Sequence, residues 1–288
     1  MSIDERVLFP LARTQHNHMT TAQLLCGGYT PEMITHRRRS GLLTVAYRHV
    51  YRLAGAAPTE LEPVMAALLH SGPDAVASHE TAAALYGHPS YRLDPVHVLV
   101  RRSNRTRQVS GYIRHSTRLL TDDHITMMKG LRVTTPARTM RDLAGGLSHD
   151  RLASGVDRFW SDRLLDGLQF SGVHLDLQKR GRAGTVKSRA VAEARGPDYI
   201  PPESNLEGRT MKLLASWYGL DTWRRQVPSG DHDRLIGRTD FRHFSRPAIL
   251  EVDSDRHHRS LTDQARDEEK TRAYRAAGYA VERVTEYL

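Results

Sequence analysis

Thr20-Thr21-Ala22-Gln23-Leu24-Leu25, then Thr30-Pro31-Glu32-Met33-Ile34-Thr35-His36-Arg37-Arg38-Arg39-Ser40-Gly41, then Leu42 to Leu53, form one stretch whose local chemistry sets the first fold assignment. A threonine ahead of an apolar run accepts from the unpaired N–H groups of a first helical turn, so Thr20 is read as the cap of a helix that stops at Gly27-Gly28. Thr30-Pro31-Glu32 opens the next helix, with threonine as cap, proline where no N–H is needed and glutamate in the first turn. That helix runs to Ser40-Gly41. Leu42–Val45 and Val50–Leu53 are then β-like pieces around Tyr47-Arg48-His49, the pattern of a two-stranded wing. An earlier helix from Glu5 to Arg13 turns Val7, Leu8 and Leu11 inward. This order predicts a winged helix-turn-helix over residues 1–55.

The helix after Thr30 carries His36, Arg37, Arg38 and Arg39, side chains that in a major groove pair with guanine edges or grip phosphate. Gln23 on the preceding helix and Arg48 in the wing join them as candidate nucleic-acid contacts. Arginines in a last turn also complement the helix dipole, so a solvated helix end is the plainer alternative. Of the 288 residues, 1–200 hold 27 Lys/Arg against 18 Asp/Glu, and 201–288 hold 15 of each, for a net charge of +9. The excess positive charge therefore lies in the first two-thirds, which suits double-stranded DNA as partner and leaves the balanced remainder free for a site built of carboxylates. Arginine-rich composition without any nucleic acid is the competing source of that charge.

Cys26 is the single cysteine, which excludes an intramolecular disulfide framework and a cysteine-based zinc knuckle. No apolar run approaches the roughly 18–20 residues that span a bilayer, and Asp4, Glu5 and His16 stand where a secretory core is apolar. The sequence thus predicts a cytoplasmic protein with no membrane contact, and sets no oligomeric state.

Residues 56–145 read as an α/β middle domain: helices at Leu61–Leu69 and at Ser78–Leu85 with Ser78 as cap, strands at Val96–Val100 and Tyr112–Arg114, and a helix through Leu143 capped by Thr134-Thr135-Pro136. Arg101, Arg102, Arg105 and Arg107 sit between the strands, either tracking a phosphate backbone or forming a plain hairpin tip. Residues 146–200 read as a helical connector, interrupted at 179–184 and bounded by Gly196-Pro197 and Pro201-Pro202. The segments Thr20-Thr21-Ala22-Gln23-Leu24, Ser40-Gly41-Leu42, Val50-Tyr51-Arg52-Leu53, Ala77-Ser78-His79-Glu80-Thr81-Ala82-Ala83 and Val133-Thr134-Thr135-Pro136-Ala137-Arg138-Thr139 resemble the winged-helix and following domain of AbiEi-type antitoxins, over about residues 1–145. The resemblance implies a transcriptional autoregulator of an abortive-infection toxin–antitoxin pair, with a cognate toxin as partner. Where His49 stands, that family more often has glycine.

From residue 201 to 288 the spacing predicts a small αβββαβ domain: a helix capped by Ser204 and carrying Glu207, strands at Trp223–Val227, Leu235–Phe241 and Ala248–Val252, a helix at Leu261–Ala277 and a last strand at Tyr279–Val284. Glu251 and Asp253, two apart on one strand, project from the same face, and Asp240 lies on the neighbouring strand. Oxygen ligands so arranged suit Mg²⁺ or Mn²⁺, and a bound ion of that kind activates water against a phosphodiester. The alternative is an edge strand whose acids pair with Arg238, Arg242 or Arg256. His258, just beyond, has both protonation states accessible near neutral pH, which fits proton transfer or phosphate positioning.

Pro202-Glu203-Ser204-Asn205-Leu206-Glu207, Thr239-Asp240-Phe241, Ile249-Leu250-Glu251-Val252-Asp253, His258, Arg266-Asp267 and Ala276-Ala277-Gly278-Tyr279 resemble the restriction-endonuclease-like domain of very-short-patch-repair endonucleases, in the PD-(D/E)xK superfamily, over about residues 202–288. The resemblance implies metal-binding carboxylates at Asp240 and Glu251, with Asp253 where the superfamily has lysine. It also implies a helix-borne acid at Glu207 and the histidine that follows the strand at His258. Ser254 replaces a usual glycine and His257 a usual aromatic. With no lysine after Glu251, water activation falls to Gln226, Lys270 or His258, among which residue types do not choose.

The sequence as a whole predicts a multidomain α+β or α/β chain: a winged helix-turn-helix, an α/β middle domain and a restriction-endonuclease-like domain. Its function is read as that of a DNA-binding protein with a metal-dependent endonuclease domain, the alternative being a non-catalytic autoregulator and antitoxin.

Overall fold

The computed structural model describes residues 5–102, 110–196, 199–218, 222–231, 234–253 and 261–285. Over these residues it shows a mixed α and β chain with three sheets, divided into two units: Met1–Leu152 with Leu165–Glu193, and Ala153–Leu164 with Ala194–Leu288.

The first unit begins with α1 (Glu5–Thr14), β1 (His18–Thr20), α2 (Thr21–Cys26), α3 (Pro31–Arg39), β2 (Leu43–Tyr47) and β3 (Val50–Leu53). The Thr20 side chain accepts from Gln23 N at 3.2 Å while Gln23 Oε1 accepts from Thr20 N at 2.8 Å, so both ends of a capping box are closed. Thr30 caps α3 through Met33 N at 3.3 Å. Leu24, Ile34, Leu43 and Tyr51 bury together with Ala12 and Met19. β1 has no counterpart in the sequence reading; it pairs with β3 to give the sheet order β1-β3-β2, all antiparallel. A two-residue turn, Arg48-His49, joins β2 to β3, and His49 takes φ +65°, a conformation that glycine adopts without strain. That is the physical reason a glycine suits this position.

The chain continues through α4 (Glu62–Ser71), β4 (Val76–Ala77), α5 (His79–Leu85), β5 (His97–Arg101), β6 (Ile113–Thr117), β7 (Ile125–Met128), β8 (Leu131–Thr134) and α6 (Pro136–Leu143). Five strands form a sheet in the order β6-β5-β4-β8-β7, with β5–β6 and β4–β8 parallel and the remaining pairs antiparallel. Val64, Met65 and Leu68 of α4 pack on Val98, Val100, Leu131 and Val133. Two expected caps differ from the sequence reading. Neither Ser78 nor Thr135 makes a side-chain cap bond. The Ser78 hydroxyl instead meets His79 Nδ1 at 2.9 Å, and Thr134 Oγ1 meets Thr139 Oγ1 at 2.7 Å.

The segment 146–200, read as a connector, is shared between the units. α7 (His149–Ser161) starts in the first and ends in the second, whereas α8 (Gly167–Leu177) and α9 (Thr185–Glu193) belong to the first.

The second unit then holds α10 (Asn205–Tyr218), β9 (Trp223–Gly230), β10 (Leu235–His243), β11 (Ala248–Asp253), α11 (Leu261–Ala276) and β12 (Ala280–Thr285). The sheet order is β12-β11-β10-β9; β11 and β12 are parallel, which needs the crossover that α11 supplies, and the other pairs are antiparallel. Ile249, Tyr274 and Val281 bury between α11 and the sheet. Among the described residues no helix is long and apolar enough to cross a membrane.

Candidate functional site

In the second unit, the pairing of Phe241 with Leu250 and Arg242 with Ile249 fixes the register of β10 on β11. One step further along that register, Asp240 stands opposite Glu251, and opposed residues share a face of the sheet. Asp240 Oδ2 accepts from Val252 N at 2.7 Å. Gln226, at φ +52° in β9, donates from Nε2 to Asp240 Oδ1 at 3.4 Å and to Glu207 Oε1 at 3.1 Å, so one amide links two acids. Glu207 is 2% exposed and also accepts from Arg225 Nη2 at 3.0 Å and from Glu203 N at 2.6 Å. Ser204 Oγ accepts from Glu207 N at 3.0 Å, which pins the start of α10 against these groups.

Asp240, Glu251, Asp253 and Glu207 line one cleft of about 250 Å³, together with Lys270 and Asp267 of α11. Lys270 Nζ stands 3.2 Å from Glu251 Oε1 and donates to Arg238 O at 2.8 Å. Arg238 pairs with Glu203, and the Arg242 guanidinium lies 5.7 Å over the Tyr279 ring, so these two arginines are placed elsewhere than on Asp240 and Glu251. Burial pushes the Glu251 carboxyl up to about 7, the adjacent Asp240 carboxylate adds to the rise, and Lys270 opposes it. Asp240 is likewise raised by burial, against the Val252 N–H bond that favours its charged form. Two half-buried acids that resist ionising side by side are chemically suited to a divalent cation. Asp240, Glu251 and Asp253 supply hard oxygen donors of the type Mg²⁺ or Mn²⁺ takes, and Glu251 Oε1 receives no hydrogen bond among the described residues despite the nearby ammonium. His258 and Arg256 lie outside the described residues. Of the three groups open for water activation in the sequence, the structure brings Lys270 and Gln226 to the acids. Lys270 and Asp267, three apart on one helix, were the signal for this face of α11, but helical spacing does not say which strand it covers.

In the first unit, His36, Arg38 and Arg39 are exposed on α3, and Arg37 is half-buried with its guanidinium 5.0 Å over the Tyr29 ring. Arg38 lies 5.9 Å over Tyr51. Arg48 is exposed in the turn between β2 and β3 and donates to His49 Nε2 at 3.1 Å. Gln23 is half-buried, and its carbonyl is committed to the capping box. Arg101 and Arg102, at the end of β5, are exposed, and Arg105 and Arg107 lie outside the described residues.

The first unit thus presents exposed arginines on a helix beside a short hairpin, and the second an acid-lined cleft. The comparisons sharpen the class for its central part: residues 75–190 match a family described as the AbiEi antitoxin C-terminal domain. The match runs past residue 145 into α9, over the helices that belong to the first unit. No curated protein matches. Among solved structures, the RV2827C protein from Mycobacterium tuberculosis is similar over 68% of this chain and 82% of its own, at 14% identity and a TM-score of 0.36.

Proposed function

We propose that this chain is a DNA-binding autoregulator of the antitoxin type, which pairs with a cognate toxin and binds its own promoter through a winged helix-turn-helix formed by α1 to β3. The observation that carries this reading is the antitoxin-domain match at residues 75–190, which begins after α4, just ahead of β4. The exposed Arg38, Arg39 and Arg48 supply the phosphate and base-edge donors that such a module needs. Arg37 to Arg39 changed together to alanine are expected to weaken binding to promoter DNA and to reduce the slope of log affinity against log salt by about 0.9 for each phosphate that is no longer neutralised. Fluorescence anisotropy across a salt series measures both. An affinity indifferent to salt removes DNA from the account.

A second reading is supported by one specific feature, the opposed Asp240 and Glu251 beside Lys270. On that reading the second unit is a restriction-endonuclease-like domain that hydrolyses phosphodiesters. Asp240, Glu251 and Asp253 would hold Mg²⁺ or Mn²⁺, which supplies Lewis-acid stabilisation of the cleaved phosphate. Gln226 fixes the orientation of Asp240 and Glu207, and Lys270 stands where an ammonium can orient water or phosphate next to Glu251. Plasmid DNA incubated with either metal is expected to be cut by the wild type and left intact by Asp240→Ala and Glu251→Ala. Equal cutting by all three proteins defeats the reading.

A further inference from the structure

We propose that His79, His97 and His115 form a binding site for a divalent transition-metal ion of the zinc type, separate from the carboxylate cleft. His79 is the first residue of α5, held at φ +49°, while His97 opens β5 and His115 lies on the parallel neighbour β6. One ligand nitrogen from each lies within 4.8 Å of the other two. His97 Nδ1 and His115 Nε2 are 3.0 Å apart, and the His79 and His115 rings stack at 3.6 Å between centroids. Zinc–nitrogen bonds of about 2.0–2.1 Å at tetrahedral angles place ligand nitrogens roughly 3.4 Å apart. The His97 and His115 nitrogens are already close to that spacing, and His79 reaches it by turning out of its stack on His115; an ion would replace the hydrogen now shared between His97 and His115.

Three further features suit an ion. The Ser78 hydroxyl pairs with His79 Nδ1 at 2.9 Å, which occupies that nitrogen; in the tautomer with the proton on Nδ1, the serine oxygen accepts it and Nε2 is the ligand nitrogen. His97 is buried and His79 and His115 are half-buried, so the trio is largely screened from bulk water. Finally, the trio lines a cleft of about 480 Å³ that also receives Ser116, Arg138 and Arg182. Three histidines with the fourth position open to a cleft is the arrangement of reactive rather than purely structural zinc.

The test uses the full chain without a polyhistidine tag, stripped with chelator and titrated with Zn²⁺ alone by calorimetry, with Co²⁺ absorption as the readout of nitrogen ligation. The expected result is one tight equivalent, weakened at least about 100-fold in His79→Gln and His115→Gln and about 10–100-fold in Ser78→Ala. Asp240→Asn with Glu251→Gln is expected to keep that equivalent, which separates this site from the carboxylate cleft. Circular dichroism identifies which variants fold. Should His115→Gln fail to fold, His79→Gln and Ser78→Ala decide the outcome. A wild type that takes up no zinc, or folded His79→Gln that binds it as tightly as the wild type, overturns the proposal.

Discussion

Arg138→Ala is expected to destabilise the first unit by about 3–5 kcal/mol, the cost of removing one partner from a buried ion pair. Arg138 is 1% exposed. Its Nε donates to Asp142 Oδ2 at 2.9 Å, and its Nη1 reaches Leu119 O at 3.0 Å and His124 Nδ1 at 2.9 Å. One guanidinium therefore ties α6 to the chain on either side of the turn before β7. Burial already pushes the Asp142 carboxyl up and Arg138 is the main group opposing it, so the alanine variant leaves a largely buried acid without its hydrogen-bonded partner, with only the Arg141 and Arg182 charges to oppose its burial. Urea denaturation followed by far-ultraviolet circular dichroism measures the loss. Arg138→Met combined with Asp142→Leu is expected to recover most of it, because an apolar pair of similar volume carries no stranded charge. A loss under about 1 kcal/mol in the single variant would show that the pair is not the keystone of this corner.

Glu251→Gln is expected to stabilise the second unit in metal-free buffer at pH 8, by roughly 1–3 kcal/mol, and to do little at pH 5. The folded carboxyl titrates near 7 against an ordinary value of 4.5, so the native chain binds more protons than the unfolded one between those limits. Stability from this group is then greatest below about 4.5 and falls as pH rises to about 7. Glutamine removes the charge that burial opposes and flattens that slope. Trp160, Trp217 and Trp223 are the chain's three tryptophans and all belong to the second unit, so urea unfolding followed by tryptophan fluorescence reports on it. If the acids hold Mg²⁺, saturating metal at 100 times its dissociation constant restores about 2.7 kcal/mol to the wild type and much less to the variant. Identical pH profiles for the two proteins would mean that Glu251 ionises freely.

Much of the secondary structure was legible. Thr20, Thr30 and Ser204 each announce a helix because a cap is a bond to a residue only three positions away. Alternation along β11 sufficed to put Glu251 and Asp253 on one face, whereas the register that sets Asp240 opposite Glu251 came from the fold. The strands that were missed, β1, β4, β7 and β8, have between two and four residues, too few to establish a period. Ser78 has the composition of a cap, but its hydroxyl is spent on His79, a competition that sequence alone does not reveal. Arg138 reads from sequence as one member of an antitoxin-like motif; only the fold shows that it is buried and holds three partners.

By itself the sequence determined where α2, α3 and α10 start, how charge is divided along the chain and that Glu251 and Asp253 share a face, because these depend on neighbours a few positions apart. Tertiary structure decided that Lys270 meets Glu251, that Gln226 bridges Glu207 and Asp240, and that His79, His97 and His115 converge. Those meetings depend on sheet order and on which face of a helix is buried, so side chains many residues apart become neighbours only when the sheets assemble and exclude water.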